Sequence, residues 1–294
     1  MGCKLNYAET ATYERGFTAA GYTTVDWTEK ADLYIINTCS VTGQSDRKSR
    51  NIIRKIHKLA PEAAIVVTGC YAQLRREEIR AIEGVSLVIG ADEKGNLVRD
   101  TIDYIDGVRM DLGRKGPETL SECAREASSL TFAAYSGGEE RTRAFLKVQD
   151  GCDNFCAYCT VPFARGRSRS ISIEEAVGNA RRIAASGVKE IVITGVNTGD
   201  FGRNTGESFL DLLKALNNVE GIERYRISSI EPNLLTDEMV DWIASGTKFQ
   251  PHFHIPLQSG SDTILKDVGR HYDTEFFARK IEYVRNRMDP VPGE

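Results

Sequence analysis

Residues 147–159 read KVQDGCDNFCAYC and contain three cysteines, Cys152, Cys156 and Cys159, at C-x3-C-x2-C spacing. Cysteine thiolates are the usual ligands of iron-sulfur clusters, and a 4Fe-4S cluster normally takes one thiolate on each of its four irons. Three cysteines this close together can bind three irons and leave the fourth open to another ligand. The spacing therefore predicts a cluster that takes part in a reaction.

Structural zinc and disulfide bonds are the alternative uses of closely spaced cysteines. Structural zinc takes four ligands, and no further His or Cys follows closely enough to complete a local tetrahedral site. Disulfides belong to oxidising compartments, and the N-terminus lacks the charged and then apolar pattern of a secretory signal. Reduced cysteines without such a signal predict a cytoplasmic protein.

The composition fits a globular protein of about two domains. The chain has 294 residues, of which 41% are hydrophobic and 27% are charged. No apolar run approaches the roughly 20 residues of a membrane span. Because the net charge is −4, the chain as a whole does not indicate a nucleic-acid-binding protein, and any RNA contact is expected from local patches.

Apolar runs alternate with helical patterns in the first hundred residues. Residues 33–37, 64–68 and 87–90 read as buried parallel strands, and residues 45–59 have helical spacing. This alternation predicts an α/β layered sheet.

A second set of three cysteines accompanies these strands. Cys39 and Cys70 each follow the carboxyl end of a predicted strand, where open α/β sheets place their ligands, and Cys3 lies near the N-terminus. A lone cysteine after a strand is usually a small buried side chain. The shared position of these residues is what indicates a second site.

The motifs together resemble those of radical S-adenosylmethionine (SAM) methylthiotransferases. The first loop, with aromatic Tyr158 before its third cysteine, resembles the cluster loop of radical SAM enzymes. The contexts GCKLN (2–6), NTCSVT (37–42) and TGCYAQ (68–73) resemble the N-terminal domain of the methylthiotransferases. The resemblance implies that Cys3, Cys39 and Cys70 bind an auxiliary 4Fe-4S cluster. The seventh cysteine, Cys123, matches no motif and is interpreted as an incidental thiol.

The second half of the chain repeats βα units, which predicts a barrel with its site at the carboxyl ends of the strands. Residues 107–143 read as a linker between a domain at 1–106 and a domain at 144–294. The resemblance narrows the barrel to the partial (βα)6 barrel of radical SAM enzymes. Strands are predicted at 144–149, 190–194, 225–228 and 252–255, and helices at 173–186, 209–217, 236–244 and onward to 288.

The chain departs from the family pattern at both ends. The family has a strand before the first cysteine motif, further barrel strands, and a small C-terminal RNA-binding β domain. The barrel is therefore expected to be incomplete in this chain, and the activity of so shortened a form is left open.

Four residues are predicted to bind SAM. Gly195 follows the second barrel strand, where a glycine lets the backbone approach a ligand, and the resemblance implies contact with the methionine amino group there. Ser229 and Gln258 follow the third and fourth strands and offer hydroxyl and amide groups suited to the SAM ribose. Tyr158, within the cysteine loop, completes the set.

The resemblance also implies a reaction and its partners. Family members use SAM and two clusters to transfer a methylthio group, and GCKLN with SSIEP (228–232) looks most like the branch that modifies C2 of N6-threonylcarbamoyladenosine at tRNA position 37. An electron donor such as a flavodoxin or ferredoxin is implied as well. Glu231, Arg165 and Arg167 are the predicted substrate contacts, and basic residues crowd 47–58. An anticodon loop, with unstacked bases and dense phosphates, suits such patches.

Three other functions stay open at this stage. The substrate could be isopentenyladenosine in tRNA or a side chain of a ribosomal protein, since both belong to sister branches of the family. A different class, an iron-sulfur electron carrier or binding protein, would normally offer four cysteines for each cluster, and neither set shows a fourth.

Overall fold

The structure is a computed structural model and describes residues 3–40, 42–91, 93–110, 134–135 and 142–288. The chain divides into two compact units. The first comprises Met1–Phe132 together with the short segment Phe163–Gly166, and the second comprises Ala133–Pro162 and Arg167–Glu294.

The first unit is built on a three-stranded parallel sheet, as predicted. Strands β1 (Leu33–Thr38), β2 (Ala64–Gly69) and β3 (Val85–Ile89) lie in the order β1-β2-β3. Their β-branched and apolar side chains are buried on both faces of the sheet, which is typical of parallel strands covered by helices. Thr38 pairs with Gly69, so β1 and β2 end level with each other.

Helices cover both faces of this sheet. The predicted helix at 45–59 is confirmed and begins two residues earlier, because the Thr42 side chain accepts a hydrogen bond from the Ser45 amide and caps its first turn. Ile53 and Ile56 on its apolar side are buried in the core. The helices of this unit are α1 (Lys4–Ala19), α2 (Gly43–Leu59), α3 (Cys70–Leu74), α4 (Arg76–Arg80) and α5 (Leu97–Met110).

The strands described in the second unit are β4 (Ala134–Tyr135), β5 (Arg143–Lys147), β6 (Gln149–Asp150), β7 (Arg169–Ser170), β8 (Glu190–Thr194) and β9 (Arg224–Ile227). Four of them form a sheet in the order β4-β5-β8-β9. Strands β5, β8 and β9 are parallel to one another, and β4 joins the edge antiparallel to β5. A separate two-stranded ribbon pairs β6 with β7.

Helices alternate with these strands in the predicted βα order. Ser172, Ser208 and Thr236 each cap a helix by accepting a hydrogen bond from a backbone amide three residues later. The remaining helices are α6 (Val161–Arg165), α7 (Ile173–Ala185), α8 (Phe209–Asn217), α9 (Asp237–Ala244), α10 (Asp262–Asp267) and α11 (Thr274–Arg287).

One predicted strand, at 252–255, is wrong. A single bridge occurs within this segment, between Ser229 and His254, and another joins Tyr225 to Phe249, three residues before it. Pro251 and Pro256 bracket the segment, and proline supplies no N–H to a strand ladder. The predicted strand at 144–149 is also divided, because Gln149 leaves the sheet to pair with Ser170.

The four-stranded sheet of the second unit is open and does not close into a barrel, which agrees with the predicted incomplete barrel. Most of the predicted linker, with Cys123, lies outside the described residues. The boundaries at 106 and 144 therefore stay a prediction. None of the described helices is long and apolar enough to cross a membrane.

Candidate functional site

The cysteines of the first unit are placed by the ends of two neighbouring strands. Cys39 follows β1, and Cys70 begins α3 directly after β2, so the level ends of these strands bring both to one edge of the sheet. Cys3 precedes the first turn of α1. Cys3 is exposed, Cys39 half-buried and Cys70 buried, and no disulfide joins any of them to another described cysteine.

Buried hydrogen bonds join the three segments that carry these cysteines. The Asn6 side-chain amide donates to Asn37 Oδ1 at 3.1 Å and to the Thr38 carbonyl at 2.9 Å. The Thr38 hydroxyl donates to the Thr68 carbonyl at 2.6 Å and accepts from the Ala72 amide at 3.3 Å. The chain next to Cys3, Cys39 and Cys70 is thus tied into one polar network.

Gly69 is required where β2 meets α3. Its φ is +102°, and a Cβ there would stand 2.2 Å from the Thr38 carbonyl oxygen and 2.6 Å from the Thr38 nitrogen. Both are backbone atoms of the paired strand. The close approach of β1 and β2 beside Cys39 and Cys70 therefore depends on the absence of a side chain.

The second unit carries the other three cysteines in a tight loop after β6. Cys152 and Cys156 are buried and Cys159 is half-buried. The loop needs a left-handed backbone at Gly151, with φ +70°, and at Phe155, with φ +46°. The Cys159 amide donates to the Cys156 carbonyl at 2.8 Å and closes its last turn.

Burial makes the Cys152 and Cys156 thiols poor acids in the absence of iron. Desolvation raises the pKa of Cys152 to about 11 and also raises the pKa of Cys156, while the Arg270 guanidinium opposes the shift at Cys156. Iron-sulfur ligation requires the thiolate, so binding of iron has to release the thiol protons.

Polar side chains other than the cysteines fix the base of this loop. Gln149 donates to the Gly151 carbonyl at 2.8 Å and to the Ser168 hydroxyl at 3.0 Å, and it accepts from the Asn197 amide at 2.9 Å. Lys147 and Asp150 form a buried ion pair with a 2.6 Å separation. The loop is thereby held to the carboxyl end of β8.

Gly195, a predicted SAM contact, lies directly after β8 and beside Gln149. A Cβ at Gly195 would stand 2.8 Å from Gln149 Oε1. The glycine therefore keeps the turn after β8 close to the side chain that holds the cysteine loop.

A chain of hydrogen bonds brings Tyr158, Gln258 and Glu231 together. The Tyr158 hydroxyl donates to Gln258 Oε1 at 2.9 Å and accepts from Arg270 at 2.5 Å. Arg270 also donates to Glu231 at 2.6 Å, and Asn154, between the cysteines, donates to the same carboxylate oxygen at 2.8 Å. Three predicted residues therefore share one polar cluster beside the cysteine loop.

Sequence reasoning missed Asn154 and Arg270. Asn154 lies inside the cysteine motif, and this position is a signal that could have been used. Arg270 follows α10 and lies 112 positions from its partner Tyr158. No local sequence pattern predicts the contact between Arg270 and Tyr158.

The structure gives Ser229 a different neighbour. Its hydroxyl lies 2.7 Å from His254 Nδ1, and its carbonyl accepts from the Thr198 hydroxyl at 3.0 Å. These contacts join the loops that follow β8 and β9, at the edge of the sheet where SAM binding was predicted.

The two arginines predicted to contact substrate have opposite environments. Arg167 is exposed over 75% of its side chain and lies 4.8 Å from the ring centroid of half-exposed Phe155. Arg165 is buried in the first unit, where its guanidinium donates to Glu9 at 3.0 Å and to Asn6 at 3.0 Å.

The basic helix α2 lines a groove of about 660 Å³. Arg50, Arg54 and Lys58 face this groove together with the acidic residues Glu78 and Glu83, and Arg50 is paired with Glu78 at 2.8 Å. The groove presents both signs of charge, and the phosphate contact considered for this helix stays a prediction.

The donor sets fit iron-sulfur ligation in their chemistry. Each set offers three thiols near the carboxyl edge of a parallel sheet, and no disulfide joins them to other described cysteines. Across the described ranges, no three His, Cys, Asp or Glu side chains close around a single metal ion. In a 4Fe-4S cluster each thiolate binds a different iron, so its ligands stand farther apart than those of one zinc ion.

Two α/β units, each with three cysteines near the carboxyl edge of its sheet, agree with a radical SAM protein that has an N-terminal companion domain. The Radical SAM superfamily model matches residues 146–291, and the model described as "Uncharacterized protein family UPF0004" matches residues 1–90. The chain belongs to the radical SAM methylthiotransferase family. The cofactors of the chain are accordingly two 4Fe-4S clusters and SAM.

Three relatives illustrate the similarity. The threonylcarbamoyladenosine tRNA methylthiotransferase MtaB of Bacillus subtilis is 41% identical over 98% of this chain and 63% of its own length. The MtaB of Aquifex aeolicus is 36% identical over 97% and 68%. The tRNA-2-methylthio-N(6)-dimethylallyladenosine synthase of Wolinella succinogenes is 34% identical over 97% and 64%. The chain thus spans about two thirds of the length of these relatives.

Solved structures share the fold at low sequence identity. The radical SAM methyltransferase TsrM from Kitasatospora setae matches with a TM-score of 0.66 and 16% identity, covering 96% of this chain and 62% of that one. The cobalamin-dependent radical SAM enzyme OxsB matches with a TM-score of 0.57 and 16% identity, covering 94% and 41%.

Replacing Glu231 by glutamine is expected to lower the free energy of unfolding by about 3 kcal/mol, because the buried Arg270 guanidinium would lose its charged partner. Burial raises the pKa of the Glu231 carboxyl and the Arg270 charge opposes this shift, so the two groups depend on each other. Denaturant unfolding would measure the loss. Arg279→Gln breaks the exposed pair with Glu275 and should cost below about 1 kcal/mol. Equal losses in the two variants would contradict the prediction.

Proposed function

We propose that the protein is a tRNA-modifying methylthiotransferase that adds a methylthio group to C2 of N6-threonylcarbamoyladenosine at position 37. The observation that carries this proposal is the similarity of nearly the whole chain to four relatives named threonylcarbamoyladenosine tRNA methylthiotransferase, at 34–41% identity. The two three-cysteine sites support the same reaction, since each leaves one iron of a cluster without a protein ligand.

We assign the cofactors to the residues as follows. Cys152, Cys156 and Cys159 hold the radical SAM cluster, and Cys3, Cys39 and Cys70 hold the auxiliary cluster. When bound, the first cluster with SAM supplies the radical chemistry that removes hydrogen from an unactivated C–H bond, and the second supplies sulfur. The proposed SAM contacts are Tyr158, Gly195, Ser229 and Gln258.

The polar cluster beside the cysteine loop orients two of these SAM contacts. Tyr158 is fixed from both sides, by Arg270 and by Gln258. Gln258 adopts a left-handed backbone with φ +70°, a strained conformation that functional sites often hold. Together these contacts keep the Tyr158 ring and the Gln258 amide in one geometry next to the cysteines.

Substrate recognition is proposed for exposed Phe155, for Arg167 and for the Arg270–Glu231 pair. Phe155 with Arg167 over its ring offers a flat cationic surface, which suits an unstacked base of an anticodon loop. Glu231 is proposed to act by orienting Arg270, because a guanidinium is the natural partner of the carboxylate on a threonyl group. Arg165 is buried and is therefore not proposed as a substrate contact.

The partners follow from this reaction. A tRNA substrate would place the enzyme in the cytoplasm, and reduction of the radical SAM cluster would need an electron donor such as a flavodoxin or ferredoxin. A second candidate substrate is dimethylallyladenosine in tRNA, because the Wolinella succinogenes relative is named for its product and is 34% identical.

The test is anaerobic reconstitution followed by turnover with tRNA that carries or lacks the threonylcarbamoyl group, with nucleosides read by mass spectrometry. We expect about eight irons per chain and methylthio product only from the threonylcarbamoyl tRNA. Product from dimethylallyl tRNA alone would favour the second candidate. A chain that binds clusters but neither binds nor cleaves SAM would be an iron-sulfur carrier, and the proposal would be wrong.

A further inference from the structure

Glu9 is a fully buried carboxylate on α1 that meets two buried cations. Its oxygens accept from Lys94 Nζ at 2.6 Å and from Arg165 Nη1 at 3.0 Å. The side chains of Glu9, Lys94 and Arg165 are 0%, 1% and 3% exposed. Charged groups are seldom buried this completely, since each loses its hydration, and such a site usually serves a specific arrangement.

Arg165 connects this charged site to the first cysteine. Its second nitrogen, Nη2, donates to Asn6 Oδ1 at 3.0 Å, and the Cys3 thiol donates to the same oxygen at 3.2 Å. The two arms of one planar guanidinium thus hold the Glu9 carboxylate and the Asn6 amide at once, a fork that fixes the position of both.

Glu9 is connected through Asn37 to the segment that carries Cys39. Its Oε2 atom accepts from the Asn37 side-chain amide at 3.3 Å, and Asn37 lies two residues before Cys39. Asn37 in turn bonds to Asn6, through its own amide to the Asn6 carbonyl at 3.2 Å and through its Oδ1 atom. The orientation of both asparagine amides is therefore set by the ion pair.

We propose that Arg165 and Glu9 are positioning residues for the auxiliary cluster, which fix Asn6 and Asn37 and through them the segments that carry Cys3 and Cys39. The proposal rests on the assignment of these cysteines under the proposed function.

The experiment reads the auxiliary cluster alone. In a chain with Cys152, Cys156 and Cys159 replaced by alanine, only the auxiliary cluster can form, at about four irons per chain. Arg165→Gln and Glu9→Gln in that background should speed the loss of iron to a chelator by about 10- to 100-fold, the usual effect of removing a group that orients metal ligands. The electron paramagnetic resonance spectrum of the reduced cluster should change as well.

Arg165→Lys keeps the positive charge at this position and removes the planar guanidinium. Lysine can pair with Glu9, but its single nitrogen lacks the planar fork that reaches Glu9 and Asn6 together. We expect this variant to stay folded and still to show an altered resonance spectrum. The matched control is Arg226→Gln, which breaks the ion pair with Glu190 at the amino-terminal end of β8, away from every cysteine of its unit.

The outcomes distinguish the inference from the function on which it rests. If the alanine background binds no cluster, the assignment of Cys3, Cys39 and Cys70 is wrong. If that background binds a cluster, and Arg165→Lys and Glu9→Gln match the control in spectrum and rate of iron loss, the inference is overturned. Thermal unfolding of each variant shows whether a change in iron loss merely reflects an unfolded chain.

Discussion

Replacing Cys156 by alanine is expected to reduce SAM cleavage by at least about a thousandfold, because on the proposed assignment the removed thiolate binds an iron of the cluster that acts on SAM. The loop offers three thiols, and the polar residues around it, Asn154, Tyr158 and Arg270, provide no substitute of comparable affinity for iron. The measurement is release of 5′-deoxyadenosine with a chemical reductant.

Cys70→Ala is the matched variant, and its expected phenotype differs in kind. Cys70 is buried in the first unit, so its loss should leave the three-cysteine loop of the second unit intact. This variant should still release 5′-deoxyadenosine while the methylthio product disappears. If both variants lose SAM cleavage equally, the assignment of separate roles to the two cysteine sets is wrong.

Gly69→Ala is expected to lower the free energy of unfolding by at least about 3 kcal/mol and to abolish iron binding by the first unit. The added Cβ would meet the Thr38 carbonyl oxygen at 2.2 Å, and neither strand can yield without breaking their pairing. Since Cys39 and Cys70 follow these strand ends, the iron content should fall by about half.

A second glycine of the same unit isolates the steric part of this effect. Gly21 has a similar φ of +92°, but an added Cβ there would meet nothing within 4 Å. Gly21→Ala therefore carries only the backbone strain, about 1–2 kcal/mol. Denaturant unfolding with iron analysis compares the two variants, and an equal cost would show that β1 and β2 separate easily at Gly69.

The features that could be predicted from the sequence are those with a local or periodic cause. The runs at 33–37 and 64–68 are apolar and β-branched, so their burial as strands follows from composition. Because parallel strands end at one edge, the position of Cys39 beside Cys70 follows as well. The cysteine motif itself placed Tyr158 within the loop.

The features that could not be predicted depend on partners far away in the chain. Glu9 and Lys94 carry no sequence signal, and Arg165 was interpreted as a substrate contact, because a charged side chain is expected in solvent until its partner is known. Arg270 could not be predicted for the same reason, because its partners Glu231 and Tyr158 lie far from it in the chain. The failed strand at 252–255 had a visible cause in Pro251 and Pro256, which outweighed its alternating pattern.

The contacts at the base of the cysteine loop bear on how such a protein survives air. Gln149 and the Lys147–Asp150 pair hold the loop without using a single sulfur atom. On the proposed cluster assignment, a loop supported in this way is expected to keep its shape after oxygen has removed its irons. A new cluster could then be built on the same chain.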